Sequence, residues 1–258
     1  MNYFIAFSGR TGSSMLCNLL GKTGVLGHPE EHFNFDYRPD AGENRGKLWG
    51  NGAVERWAAT IPYAAWIDGG LGDGGQVPDP RAYAQHYARY LRLTATPNGI
   101  TGAKVTWDHY YRLCAGLGER PHVDRWIWLR RRDKLRQAIS SYKNHATLQA
   151  QLRPGMERKP DPPFDAEEIL NWAMRYKAED AIWEAEFSTL AEWQPVAWQV
   201  WYEDWTVAPS WTVGEIAVMM GAKAPDIELA SDHLRMANET SEAWHQELLP
   251  TWERILAA

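Results

Sequence analysis

Arg10, Thr11, Gly12, Ser13 and Ser14 stand between a short apolar run, "NYFIAFS", and the series Leu16, Leu19 and Leu20. The run reads as a buried strand and the leucines recur at helical spacing. A cation, a glycine and three hydroxyls at a strand-to-helix turn are the parts of an anion cradle. A helix N-terminus supplies unpaired N–H groups and partial positive charge. Behind a glycine turn these hold phosphate or sulfate. ATP and GTP loops carry G-x-x-x-x-G-K-[ST]. Gly21, Lys22 and Thr23 match the end of that pattern, but its first glycine would fall at Leu16. Gly21 also lies at the far end of the helix, where glycine terminates one. The loop therefore lacks the usual lysine, and Arg10 is its cation.

Arg130, Arg131, Arg132, Lys134 and Arg136 crowd together against one acid, Asp133, in a chain of net charge −6. They follow "DRWIWLR", which reads as a strand, at the end where α/β sheets bind ligands. Guanidinium groups bind phosphate bidentately, and Ser140 in the next helix can add a hydroxyl. Two anion-binding elements at two strand ends suit a ligand with two separated anionic groups. Glu30, Glu31 and His32 follow Pro29, and each could take a proton from a hydroxyl. Cys17 and Cys114 lack metal-ligand spacing and read as free thiols of a reducing compartment. No cluster of metal ligands stands out, so no metal is expected.

These residues need a sheet to position them. "GITGAKVTW" and "VAWQVWYED" read as further strands. Helices are expected from Pro80, over Asp133 to about Leu152, over 165–192, over "WTVGEIAVMMGAK", and in the tail past Pro250. Strands alternating with helices imply an α/β fold, a mostly parallel central sheet flanked by helices. The 258 residues are expected to form a single domain. Residues 41–80 are Gly-rich, with "DGGLGDGGQVPDP" near the end, and read as an insertion of the kind used for lids.

The acidic balance and a pI of about 5.8 argue against broad binding to nucleic acid or anionic membrane. No stretch approaches the roughly 20 apolar residues of a membrane span. The N-terminal apolar run is too short for a signal peptide, so a cytoplasmic protein is expected. Fifteen tryptophans follow no period. Most are expected in the core, and a few could face a sugar ring.

Four segments, in order along the chain, carry a family resemblance. "SGRTGSSMLCNLLGKTGVLGHPEEHF" resembles an R-S-G-S-T phosphosulfate loop with its helix and a G-x-P-x-E-F/H-F segment. "TPNGITGAKVTW" resembles T-P-N-G-x-x-G-x-K-x-x-W. "RRDKLRQAIS" resembles R-x-D-x-x-x-Q-A-x-S, and "LRMANETSEAW" resembles R-Q-A-x-x-x-S-x-x-W. Together they look like sulfotransferases that use 3′-phosphoadenosine 5′-phosphosulfate (PAPS), most closely the bacterial trehalose 2-sulfotransferase family. The resemblance implies a P-loop-like sulfotransferase fold and transfer of a sulfuryl group to a hydroxyl, leaving 3′,5′-ADP. It implies that Arg10, Thr11, Gly12, Ser13 and Ser14 hold the 5′-phosphosulfate, and that Arg131 and Ser140 hold the 3′-phosphate. Glu31 matches the catalytic carboxylate, with Arg10 stabilising the departing phosphate and His32 as the rival base. Lys104 and Trp107 match a segment near acceptor or cofactor, and Arg235 one that closes over the nucleotide. A homodimer is expected on the same ground. The insertion departs from the trehalose enzymes, so the acceptor is left as a small hydroxyl compound, a sugar or another metabolite. Two other classes stay open: a nucleotide-dependent kinase, and a non-catalytic protein binding carbohydrate or a partner.

Overall fold

A computed structural model of the chain describes residues 1–33, 80–190, 197–223 and 236–257. The first strand, β1 (Asn2–Phe7), leads through the loop into helix α1 (Ser13–Lys22). Then come α2 (Pro80–Leu93), β2 (Thr101–Val105), α3 (Trp107–Leu117) and β3 (Arg125–Arg130). Helices α4 (Lys134–Thr147) and α5 (Ala166–Leu190) precede β4 (Trp198–Trp201). The short α6 (Tyr202–Trp205), then α7 (Pro209–Met219) and α8 (Glu239–Ala257) complete the order.

The four strands form one parallel sheet in the order β2-β1-β3-β4. Because β1 is central and covered on both faces, all six of its residues are buried, as its uninterrupted apolar run requires. Side chains alternate along it. Tyr3, Ile5 and Phe7 pack with Leu16, Leu19 and Leu20 of α1 and Val213, Ile216 and Ala217 of α7. Phe4 and Ala6 pack on the other face with Tyr90, Tyr110, Trp126, Trp128 and Trp183. A third core joins α4, α5 and α8 through Leu135, Ile139, Ile169, Trp244 and Trp252. Burial there raises hydrophobic contact between α4 and the C-terminal helix, so the helix bearing Ser140 is fixed from both sides.

The four expected strands are present, and the sheet is wholly parallel among the described residues. Helix α4 stops at Thr147 rather than near Leu152, because Leu148 takes a left-handed φ of 53°. Helix α3 was not expected. Its start is capped by Thr106, whose side chain accepts from the His109 N–H at 3.3 Å, and Gly118 ends it at φ 72°. Those are ordinary boundary residues, but the dense aromatic content between them hid the helical period. The insertion at 41–80 lies outside the described residues apart from Pro80. Trp126, Trp128, Trp183, Trp205, Trp244 and Trp252 are buried.

Candidate active site

The C-terminal ends of β1, β2 and β3 lie side by side and bring the candidate residues to one edge of the sheet. The loop after β1 turns sharply. Arg10 has φ 64° and Gly12 φ 78°, both left-handed. An added Cβ at Gly12 would stand 2.8 Å from Trp205 Cζ2 and 2.9 Å from Tyr202 Cδ2, and one at Gly9 would stand 3.0 Å from the Tyr176 hydroxyl. The loop is thus pressed against aromatic rings that leave no room for a side chain at Gly12. Among the described residues, no N–H from Arg10 to Ser14 donates to a protein acceptor. Free amides of this kind are what a bound anion satisfies.

Thr11 is fully buried and its hydroxyl donates to the Ser8 carbonyl at 2.9 Å. What it offers an anion is its N–H. Ser13 is buried, whereas Ser14 is exposed and its Oγ accepts from Lys104 Nζ at 2.9 Å.

The basic cluster separates into paired and unpaired members. Arg130 and Lys134 share Asp180 at 3.2 and 2.7 Å, and Arg130 also stacks 3.9 Å over Trp128. Arg132 pairs with both oxygens of Asp204 at 2.6 Å, and Arg136 pairs with Asp133 and Glu242. Arg131 has no carboxylate partner among the described residues, and neither has Arg10. Arg131 lies 4.5 Å over the Tyr202 ring, donates from Nη1 to the Arg10 carbonyl at 3.2 Å, and holds its Nε buried without an acceptor. Arg10 Nε donates to Ser140 Oγ at 2.9 Å and Nη1 to the Ala150 carbonyl. Burial lowers the pKa of both guanidinium groups, and the Arg131 charge lowers that of Arg10 further. Two partly desolvated cations that repel each other are stabilised by an anion between them. Arg10, Arg131 and Ser140, distant in sequence, therefore converge.

On the other side of the loop, Lys104 Nζ lies 2.9 Å from Glu31 Oε1 and 5.2 Å from the centre of the Phe7 ring. Its backbone N–H donates to the Glu30 carbonyl at 2.9 Å, which fixes residues 30–31 along β2. Burial alone would lower the Lys104 pKa, but the Glu31 carboxylate, together with Cys17 and Glu30, offsets it and the ammonium is held above its ordinary value. Glu31, Lys104 and Ser14 thus form one chain of contacts ending at the anion loop. The lysine that the loop sequence lacks reaches its serine from the neighbouring strand.

His32 is turned away from this chain. It is buried against the Tyr90 ring, 5.1 Å between centroids, with Nε2 2.9 Å from the His28 carbonyl. Burial pushes its pKa down to about 4. Trp107 opens α3 just after Lys104, half-buried, edge-on to Trp183 at 5.4 Å and 6.3 Å from the exposed Tyr111 ring.

Arg235 lies outside the described residues. The residues after it are anchored: Arg158 donates to the Met236 carbonyl, and Asn238 and Ser241 bind Lys143 Nζ at 2.8 and 3.1 Å. Lys143 also pairs with Asp161. This ties the C-terminal motif to α4, one turn beyond Ser140. Tyr176, Tyr202 and Lys143 were not among the candidates, and neither was Gln137, although it stands inside the third motif. Their sequence signals are those of core aromatics and helical polar residues, and only the fold sets Tyr176, Tyr202 and Gln137 against the loop and Lys143 against the C-terminal motif.

Among the described residues no three histidine, cysteine or acidic side chains gather as a metal site, and no helix is long and apolar enough to cross a membrane.

A family model described as Stf0 sulphotransferase matches residues 2–248. No curated protein matches the sequence. The sulfotransferase domain from the curacin biosynthetic pathway is 17% identical, with a TM-score of 0.49 over 87% of this chain and 75% of that one. The sulfotransferase domain of the Synechococcus PCC 7002 olefin synthase is 15% identical, with a TM-score of 0.45 over 99% and 94%. Sulfotransferase STF9 from Mycobacterium avium is 14% identical, with a TM-score of 0.43 over 96% and 67%.

Proposed function

The chain belongs to the Stf0 sulfotransferase family, and from that premise we propose that it transfers the sulfuryl group of PAPS to a hydroxyl of a small acceptor, a sugar or another metabolite. The observation that carries the donor is the pair of guanidinium groups without carboxylates, Arg10 and Arg131, beside Ser140 and a loop of unpaired N–H groups. A nucleotide with a 5′-phosphosulfate and a 3′-phosphate supplies the two anions such a site lacks. In this reading Arg131 and Ser140 take the 3′-phosphate. The N–H groups from Arg10 to Ser14, with Arg10 itself, take the 5′-phosphosulfate. Arg235 is included as a further nucleotide contact on the family likeness.

In the transfer step the acceptor oxygen forms a bond to sulfur while the bond from sulfur to the bridging phosphate oxygen breaks. The acceptor proton passes to Glu31, and 3′,5′-ADP leaves. Glu31 is favoured over His32 as base because the histidine is buried with a depressed pKa and its Nε2 sits on a carbonyl. Lys104 orients Glu31 and can share its charge with the departing group. Positioning and charge stabilisation do most of the work in such displacements. Trp107, half-buried just after Lys104, is offered as an acceptor contact, and His32, buried against Tyr90, as a support of the segment that carries Glu31. A cytoplasmic homodimer is part of the same proposal.

Arg131→Ala tests the donor assignment. It is expected to weaken 3′,5′-ADP far more than 5′-ADP, by about tenfold beyond the loss that 5′-ADP suffers from the freed Arg10 carbonyl, the effect of losing a charge-assisted contact to the 3′-phosphate. Equal weakening of both nucleotides would remove Arg131 from the 3′-phosphate.

A further inference from the structure

Gln137 is fully buried on a helix whose inward neighbours Leu135, Ala138 and Ile139 are apolar. Its carboxamide Nε2 donates to Ser8 Oγ at 2.9 Å and to the Gly9 carbonyl at 2.6 Å. The neighbouring carbonyls of the loop are held as well. That of Ser8 accepts from the Thr11 hydroxyl at 2.9 Å, that of Arg10 from Arg131 at 3.2 Å, and that of Gly12 from the Leu16 N–H at 3.0 Å.

No cis peptide occurs here, so each carbonyl and the N–H that follows it point in opposite directions. Holding the Gly9 carbonyl against Gln137 turns the Arg10 N–H the other way. Holding the Arg10 carbonyl against Arg131 does the same for the Thr11 N–H. These are among the N–H groups without protein acceptors. Arg10 meanwhile keeps a left-handed φ of 64°, which a residue with a side chain resists unless its surroundings hold it.

We propose that Gln137 is the positioning residue of the anion loop: its carboxamide fixes the Gly9–Arg10 peptide so that the loop's N–H groups face the 5′ anion. It touches no ligand atom and acts only through that peptide. The inference rests on the donor reading above for the identity of the anion.

The test compares 5′-AMP with 3′-AMP as separate probes of the two ends of the site. Gln137→Met keeps the length and burial of the side chain and removes the donor. It is expected to weaken 5′-AMP roughly tenfold, as loss of a buried hydrogen bond that organises the loop. The change for 3′-AMP should stay below about threefold, within ordinary context effects. Gln137→Glu adds a signature that a packing role lacks. Its protonated carboxyl keeps an O–H donor, whereas its carboxylate repels the oxygens of Ser8 and Gly9. Affinity for 5′-AMP, referred to the wild type at each pH, should therefore recover as pH falls. If Gln137→Met does not fold, this pH profile decides. Equal loss of both probes, no loss of either, or a profile without pH dependence would overturn the role of Gln137. A wild type that binds neither probe would instead overturn the donor reading, and the inference with it.

Discussion

At the scale of single residues, the site is defined by which charges are left over. Sequence shows five basic residues from Arg130 to Arg136, but not that four of them are neutralised by Asp180, Asp204, Asp133 and Glu242. The motif resemblance points to Arg131; the fold shows that it is the member of the cluster without a carboxylate among the described residues, and sets Arg10 beside it from 121 residues away. The same holds for the base. Three neighbouring candidates in sequence become one chain of contacts, Glu31 to Lys104 to Ser14, and one buried histidine. Glu31→Gln is expected to lower turnover by about a hundredfold or more, the usual range for a positioned general base. Affinity for 3′,5′-ADP should stay within a few-fold, and unchanged turnover would exclude Glu31. His32 makes a separate prediction. Its folded pKa of about 4 lies below the ordinary 6.5, so the unfolded chain binds the extra proton between those values. Its contribution to stability is complete above pH 6.5 and is lost as pH falls toward 4, at up to about 1.4 kcal/mol per pH unit. His32→Gln keeps a donor for the His28 carbonyl and removes the titration. Denaturant unfolding across that window should then show a shallower loss for the variant, whereas parallel curves would mean that His32 is not held neutral.

At the scale of elements, a turn and two helices are fitted to one another. The loop passes so close to α6 that Gly12 has no space for a methyl group, and its φ of 78° is also unfavourable to any other residue. Gly12→Ala should destabilise the protein by about 1–3 kcal/mol through left-handed strain. It should also weaken 3′,5′-ADP, because Tyr202, which the new methyl would displace, lies under Arg131. Unfolding midpoints and titration together check this; a stable variant with native affinity would contradict it. The strands and the loop were legible because β1 is apolar throughout and its pattern breaks to helical spacing at Ser13. Helix α3 was not, since Trp107, Tyr110 and Leu113 face one core while the equally aromatic Tyr111 is exposed, which blurs the 3.6-residue period. The end of α4 was also missed: Leu148 adopts a left-handed conformation that sequence assigns to glycine or asparagine.

At the scale of the whole molecule, the parallel sheet brings three strand ends together, and the family match spans nearly the full chain. The motifs at 8–33, 96–107, 131–140 and 234–244 were legible as a set through the family resemblance, and the first three lie at the ends of β1, β2 and β3, which the sheet sets side by side. Their internal wiring was not, since Arg10 to Ser140 and Gln137 to Gly9 are contacts between segments more than 120 residues apart. Net acidity outside the site and unpaired cations within it leave a local reversal of field at the sheet edge, suited to a small polyanion rather than an extended one. The most direct test is calorimetric titration of the wild-type protein with 3′,5′-ADP, beside 5′-ADP and ATP–Mg²⁺. Selective binding of 3′,5′-ADP is the predicted result. Preference for ATP–Mg²⁺, or binding of none of the three, would contradict the account.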